Sequence, residues 1–208
     1  MRAYDYQYLA RTATSGAVSM AEELGLPYPK NVTCVKPSGT LSKIMDTTEG
    51  VHKPLGKYIF NNVTFSKYDP IIPRLREANY FIFNHPTDND AVLVQFPVAY
   101  EDVPFDLVNG MEVNIESAIA QLERYKLLQT SWTQQNTSVT ISYDPTEVPE
   151  IIEWLLDNWD IYVGVSFLYR NDPTKTAKDL GYLYLPQEVV TKETYDKYVA
   201  TLLPVVLS

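Results

Sequence analysis

Cysteine is close to absent from this 208-residue chain. The single thiol, Cys34, excludes an internal disulfide framework and a cysteine-only metal site. Two histidines, His52 and His85, leave little material for zinc, and neither has a carboxylate or cysteine at ligand spacing. A long apolar run is also missing. The stretch Val199 to Leu207 is interrupted by Thr201 and Pro204 and is far too short to span a bilayer. Met1 to Tyr8 alternates charged, aromatic and polar side chains, and no apolar core with a small-residue cleavage site follows, so a cytoplasmic protein with no membrane contact is expected. On that reading the Asn-x-Thr/Ser sequences at Asn31, Asn62 and Asn136 are coincidental. Positive charge is scarce: 17 Lys and Arg against 26 Asp and Glu give a formal charge of -9 with no segregated basic face, which argues against direct nucleic acid binding.

What is present is the composition of a globular domain, with 45% hydrophobic and 21% charged residues. There is no repeat and no flexible linker, so one domain over residues 1–208 is expected. From Tyr4 to Leu24, the residues Leu9, Ala13, Gly16, Ala17, Met20 and Leu24 recur at helical spacing, and Gly25, Pro27 and Pro29 end the pattern. Small residues on that stripe suit a helix lying close to a β-sheet. β-prone runs follow at Asn31 to Lys36, Lys57 to Ser66, Tyr80 to Asn84, Ala91 to Pro97, Thr137 to Tyr143 and Tyr162 to Leu168. Helical periods occupy Val113 to Ser131 and, after the cap-like Asp144-Pro-Thr-Glu147, the run Ile151 to Trp159. Helices between strands predict an α/β fold with some parallel pairing.

The loop Pro37-Ser38-Gly39-Thr40-Leu41-Ser42 lies between a β-prone run and the start of a helical one. Unpaired N–H groups at a helix start, a glycine that lets an anion approach and flanking hydroxyls together make a phosphate site. The spacing is not that of a Walker A loop, and Lys43 falls in the wrong place for one. An ordinary turn, in which Ser38 or Thr40 caps the helix, fits the same residues. Cys34, inside the β-prone run, reads as a small buried hydrophobe. His52 could reach the loop and His85 reads as a turn residue, both in structural roles. Sixteen tyrosines and three tryptophans read as core and rim. No Ser-His-acid set, carboxylate pair or dinucleotide glycine fingerprint can be assembled, so no catalytic or metal-binding residue is assigned.

Beyond local chemistry, Asn31-Val-Thr-Cys-Val-Lys-Pro-Ser-Gly-Thr-Leu-Ser42 with Glu49-Gly-Val-His52 resembles the substrate-phosphate loop region of adenosylcobalamin-dependent (class II) ribonucleotide reductases, most of all the monomeric ribonucleoside-triphosphate reductase. Trp132-Thr-Gln-Gln-Asn-Thr-Ser-Val-Thr-Ile-Ser-Tyr-Asp144, the helix to Trp159 and Gly164-Val-Ser-Phe-Leu168 look like the last strands and helices of that family's catalytic barrel, in the same order. The resemblance runs from about Tyr8 to Tyr198 and is weakest between Asp69 and Gly110.

The resemblance implies the C-terminal half of a ten-stranded α/β barrel, with parallel strands and covering helices. It implies that Pro37, Ser38, Gly39, Thr40, Leu41 and Ser42 bind the substrate's phosphates. Ser166 and Phe167 stand where class I enzymes are similar but carry a tyrosine pair, which suits a class that makes its radical from cobalamin. The family's thiyl-forming cysteine, its nearby glutamate and asparagine and its reducing cysteine pair lie upstream of everything matched, and Cys34 matches none of them. The implied function is therefore a subunit or fragment of a ribonucleoside-triphosphate reductase in a bacterial or phage-infected cell. It would work only with an N-terminal reductase chain that carries the radical and redox cysteines, adenosylcobalamin bound by the assembly, and a thioredoxin-type or dithiol reductant. A naturally split enzyme, of the kind phage genes sometimes encode, is the preferred form. The rival reading is a nucleotide-phosphate-binding or structural module without catalysis.

Overall fold

A computed structural model describes residues 1–38, 41–45 and 47–205. In chain order the elements are α1 (Ala3–Glu23), α2 (Leu41–Ile44), β1 (Tyr58–Ser66), α3 (Ile71–Glu77), β2 (Ile82–Asn84), β3 (Ala91–Ala99), β4 (Asp106–Val108), β5 (Met111–Val113), α4 (Ala118–Ser131), β6 (Thr140–Tyr143), α5 (Val148–Asp157), β7 (Ser166–Tyr169), β8 (Gln187–Val189) and α6 (Lys192–Val199). Where one domain is expected, the chain packs as two compact units. The first holds residues 1–53 and 116–170, the second 54–115 and 171–208.

In the first unit, α4 and α5 pack on β6, which pairs in parallel with β7, in register from Thr140↔Ser166 to Tyr143↔Tyr169. Leu122 and Tyr125 of α4, Ile141 of β6 and Ile151 and Trp154 of α5 are buried together with Val51 and Val139. Burying each such side chain contributes about 1.5–3 kcal/mol relative to leaving it in water. The Asp144 to Glu147 turn forms the expected capping box: Asp144 accepts from the Thr146 N–H at 2.9 Å, and Glu147 Oε2 accepts from the Asp144 N–H at 2.8 Å. Helix α1 forms as predicted, but of its residues only Ala21 is buried; Leu9, Met20 and Leu24 of the expected stripe are exposed. Helical periodicity identifies a face, not what covers it.

The second unit is a sheet in the order β2-β3-β1-β8, antiparallel throughout. β1 and β3 pair over nine residues, from Tyr58↔Ala99 to Ser66↔Ala91. Polar side chains pin that register across three strands. Asn62 Nδ2 donates to the Leu185 carbonyl at 2.7 Å and to Glu188 Oε1 at 2.9 Å, while its Oδ1 accepts from Gln95 Nε2 at 3.2 Å. Gln187 Nε2 donates to Asn61 Oδ1 at 2.7 Å. A one-residue slip would leave these buried amides unpaired, so the register is specified by polar as well as apolar contacts. On one face of the sheet Val92 and Val94 pack with Ile72 and Leu75 of α3. Helix α6 is tied in by Tyr198, whose hydroxyl donates to the Gln95 carbonyl at 2.8 Å and accepts from the Phe81 N–H at 2.9 Å.

The α/β character is as expected, but the hydrogen bonding does not draw a half-barrel of parallel strands. Among the described strands only β6 and β7 pair in parallel. The short polar turn between β2 and β3, residues 85–90, returns the chain directly alongside itself, which makes that pair antiparallel. No described helix is long and apolar enough to cross a membrane.

Candidate functional site

The segment that leads into the predicted phosphate loop lies in the first unit, ahead of β6. Residues 31–36 run beside residues 132–138. The Thr33 carbonyl accepts from the Gln134 N–H at 3.0 Å, and the Val35 carbonyl from the Ser138 N–H at 3.4 Å. The predicted β-strand at Asn31 to Lys36 is therefore extended and partly bonded without being a regular strand. Proline at 37 then removes a donor, and Ser38 takes a left-handed backbone, φ +61°. For a residue with a Cβ that conformation costs about 1–2 kcal/mol.

Of the six predicted phosphate-binding residues, Gly39 and Thr40 lie outside the described residues. Pro37 and Leu41 are exposed and Ser38 is half-buried. Ser42 is 1% exposed, and its N–H and hydroxyl both donate to the Ser38 carbonyl, at 2.9 and 2.5 Å. In this arrangement the Ser42 hydroxyl ties the start of α2 back to Ser38.

A second turn, residues 49–52, supports this loop. The backbone of Gly50, at φ +49°, lies so close to the stem that a Cβ would come within 2.8 Å of the Lys36 carbonyl oxygen. Val51 is buried, and its carbonyl accepts from Arg124 Nη1 at 2.9 Å. Arg124 also pairs with Glu116, and burial lowers its pKa. His52 Nε2 accepts from the Thr140 N–H at 3.0 Å. Because a backbone N–H can only donate, that nitrogen carries no proton and the neutral ring holds its proton on Nδ1. His52 thus has the structural contact that its sequence position suggested, made to β6 rather than within its own turn.

Further along, Gln121 of α4 accepts from the Ser142 N–H at 3.0 Å and donates to the Ser142 carbonyl at 2.9 Å. Glu147 accepts from the Ala118 N–H at 2.8 Å and from Arg170 at 3.0 Å, joining α4, α5 and the end of β7. Nothing in the sequence signalled Gln121, because a buried amide on a helix has no motif.

Cys34 is exposed, not buried as expected. Its carbonyl accepts from Trp132 Nε1 at 3.0 Å, fixing the backbone while the side chain stays on the outside. His85 is a turn residue, its Nδ1 accepting from the Thr87 N–H at 3.4 Å and its Nε2 within 3.3 Å of the Tyr184 hydroxyl. Among the described residues no group of three His, Cys, Asp or Glu side chains could hold a metal ion.

No protein-family model matches the chain. Individual proteins do. The chain is 28% identical over 189 residues, 89% of its length, to a protein of Dictyostelium discoideum designated a probable adenosylcobalamin-dependent ribonucleoside-triphosphate reductase, and covers 23% of it. It is 30% identical over 179 residues, 85% of its length and 22% of the relative, to the adenosylcobalamin-dependent ribonucleoside-triphosphate reductase of Levilactobacillus brevis. The enzyme of the same designation from Lactobacillus leichmannii is 29% identical over 166 residues, 79% of this chain and 21% of that one. A crystal structure of a B12-dependent (class II) ribonucleotide reductase superposes with a TM-score of 0.81, at 24% identity, over 96% of this chain and 27% of that one. The resemblance carried by the Pro37 to Ser42 loop and the β6 to β7 region therefore holds along most of the chain, which is similar to about a quarter of an adenosylcobalamin-dependent (class II) ribonucleotide reductase.

Proposed function

We propose that this chain is the part of an adenosylcobalamin-dependent ribonucleoside-triphosphate reductase that carries the substrate-phosphate loop. In this reading it forms the C-terminal portion of the catalytic barrel, and the assembled enzyme converts ribonucleotides to 2'-deoxyribonucleotides by thiyl-radical chemistry. The observation that carries the reading is the left-handed Ser38, φ +61°, directly after the extended residues 31–36 that run beside residues 132–138, in a chain similar over most of its length to those reductases. Crevices at the ends of diverging parallel segments are where α/β folds bind anionic ligands. Pro37, Ser38, Gly39, Thr40, Leu41 and Ser42 then form the phosphate cradle, in which Pro37 offers no N–H, the Ser42 N–H is already bonded to the Ser38 carbonyl, and the backbone N–H groups between them are the donors.

The chain's own chemistry supports a division of labour. Replacing a ribose hydroxyl by hydrogen consumes two electrons, and a dithiol supplies them by closing to a disulfide. One cysteine cannot do this within the chain. In this reading the radical-forming and redox cysteines lie outside this chain, on an N-terminal reductase portion that is either a partner or the rest of a longer polypeptide, and the reductant is a thioredoxin-type protein or a small dithiol.

Adenosylcobalamin, which would supply the initiating radical, finds no cradle among the described residues. His52 Nε2 is occupied by the Thr140 N–H and His85 Nε2 faces the Tyr184 hydroxyl, so neither offers that nitrogen to cobalt. The cofactor is assigned to the assembled enzyme and to no residue of this chain.

Mixing the 208-residue chain with the partner carrying the cysteines, adenosylcobalamin and a dithiol tests the reading. Deoxyribonucleotide forms with at least one of the four ribonucleoside triphosphates, and omission of this chain abolishes it. Absence of product from all four overturns the proposal. Nucleotide binding by the chain under those conditions, without turnover, would favour a non-catalytic phosphate-binding module.

A further inference from the structure

We propose that the end of α3 and the start of β2 form a binding site for a small molecule that joins a flat aromatic ring to an anionic group. The site lies wholly in the second unit and does not depend on the phosphate-loop reading. Phe60, Arg76, Asn79, Phe81, Gln95 and Tyr198 line an open cavity of about 580 Å³ there, a size that small ligands fill. Its origin is a disturbed strand pairing. The β2–β3 register, Ile82↔Val94 and Phe83↔Leu93, puts Phe81 opposite Gln95. Residues so paired in an antiparallel ladder exchange both of their N–H···O bonds. Here the Gln95 N–H donates directly to the Phe81 carbonyl at 3.0 Å. The return bond runs through Tyr198, whose hydroxyl accepts from the Phe81 N–H and donates to the Gln95 carbonyl. A phenol of α6 thus stands inside the ladder, between the two backbone groups that would otherwise meet.

The walls of the cavity select the ligand. Phe60 is buried and meets the Tyr198 ring edge-on, with centroids 5.0 Å apart. Phe81 is 55% exposed and lies beside Phe83, with centroids 5.4 Å apart. An aromatic side chain left this open at a concave surface offers a face on which a planar ring packs. Arg76 is the one charged residue of the lining, and among the described residues its guanidinium pairs with no carboxylate. The planar fork of a guanidinium matches a carboxylate or phosphate through paired hydrogen bonds. The carbonyls at that end of α3 do not compete for it or repel the anion strongly. Those of Arg74, Leu75 and Arg76 already accept from the Ala78, Tyr80 and Asn79 N–H groups. In a chain of formal charge -9, one unpaired cation beside an aromatic wall favours a ligand that carries both a ring and a negative charge.

A matched pair of probes tests this. 2-Naphthoate carries the ring and the charge, and 2-naphthamide has the same shape without the charge. Each is titrated into the full chain while backbone amides are followed by NMR. 2-Naphthoate binds saturably, with its largest shifts at residues 76–82 and 95, and about ten-fold more tightly than 2-naphthamide. Arg76→Gln, at an exposed position, removes that preference: 2-naphthoate weakens about ten-fold while 2-naphthamide stays within about two-fold. Phe81→Ala weakens both probes alike, and Phe81→Leu, which keeps the apolar volume but not the flat face, takes its place should the alanine variant fail to fold. Absence of saturable binding in the wild type overturns the proposal, as does unchanged 2-naphthoate affinity in Arg76→Gln. Shifts confined to α5 and β7 would mark adventitious stacking on exposed side chains, and shifts confined to residues 37–42 would place the anion on the phosphate loop. Either result overturns this site, and the second leaves the phosphate-loop reading intact.

Discussion

At the scale of single residues, Gly50 bears on the candidate site because close backbone approach there leaves no room for a side chain. Gly50 combines φ +49° with a neighbouring carbonyl that a Cβ would overlap. We expect Gly50→Ala to lower the unfolding free energy by about 2 kcal/mol or more, read by urea denaturation, and to weaken triphosphate binding, because the turn must retreat from Lys36. Tyr198 is a simpler case. Its hydroxyl joins β3 to the segment entering β2, and burial raises its pKa. Tyr198→Phe leaves the Phe81 N–H without its partner and should cost about 1–2 kcal/mol in the same measurement.

The residues of the loop show what a sequence can and cannot convey. Serine, glycine and threonine after a β-prone run marked the place. The left-handed Ser38 and the burial of Ser42 were not legible, since both follow from what packs behind the loop. Cys34 misled for a related reason: alternation within a β-prone run says that sides differ, but only the Trp132 contact to its carbonyl decides which side faces outward.

At the scale of elements, boundaries with a chemical cap were readable and those made by pairing were not. Asp144-Pro-Thr-Glu147 announced α5. Asn109-Gly110 carries the strongest two-residue hairpin signal, and the chain turns there with φ +51° and +78° between β4 and β5, a pair absent from the predicted elements. Helices α3 and α6 and strand β8 were likewise missed, being short and supported by the sheet they cover rather than by their own periodicity.

Glu147 is the junction where elements meet, and Glu147→Ala should lower stability by about 2–3 kcal/mol in chemical denaturation, since it strips Arg170, the Ala118 N–H and the Asp144 N–H of an acceptor together. Its neighbour Asp144 gives a pH signature. The Thr146 hydroxyl and then the Thr146 N–H, with Arg170 nearby, hold its carboxyl below the ordinary aspartate range against a smaller opposing effect of burial. A carboxyl depressed in the folded state stabilises fully above its unfolded pKa, and that contribution is lost as the pH falls through the folded value. Thermal unfolding of Asp144→Asn, which retains a capping side chain, should therefore show a shallower loss of stability on acidification than the wild type.

At the scale of the whole molecule, the first unit leaves several large apolar side chains in water. Ile152 and Leu156 of α5, Trp159 beyond it and Leu168 of β7 are all more than half exposed, and every residue of β7 is exposed. Patches of this kind on a folded chain mark surfaces that a further polypeptide covers. Under the proposed reading that polypeptide is the longer reductase chain. Leu156→Lys with Leu168→Lys should reduce self-association of the isolated chain in sedimentation while moving its unfolding midpoint little, and should impair assembly with the partner. An α/β composition was evident from the order of helical and β-prone runs. Strand direction was not, because periodicity fixes faces and leaves partners open, so the parallel half-barrel was anticipated where an antiparallel sheet and a single parallel pair are found.

Both units are assembled from separated stretches of sequence, and this bears on the order in which the protein can form. Val51 and His52 are synthesised before the groups that steady them, which sit on Arg124 and on Thr140, the latter 88 positions after His52. During synthesis the stem and its turn must wait, unanchored, while the entire sheet of β1 to β3 is made and folds between them. Closing so long a loop is slow compared with local helix formation. The turn at Gly50 to His52 is thus made before the groups that hold it and takes its final shape only after them.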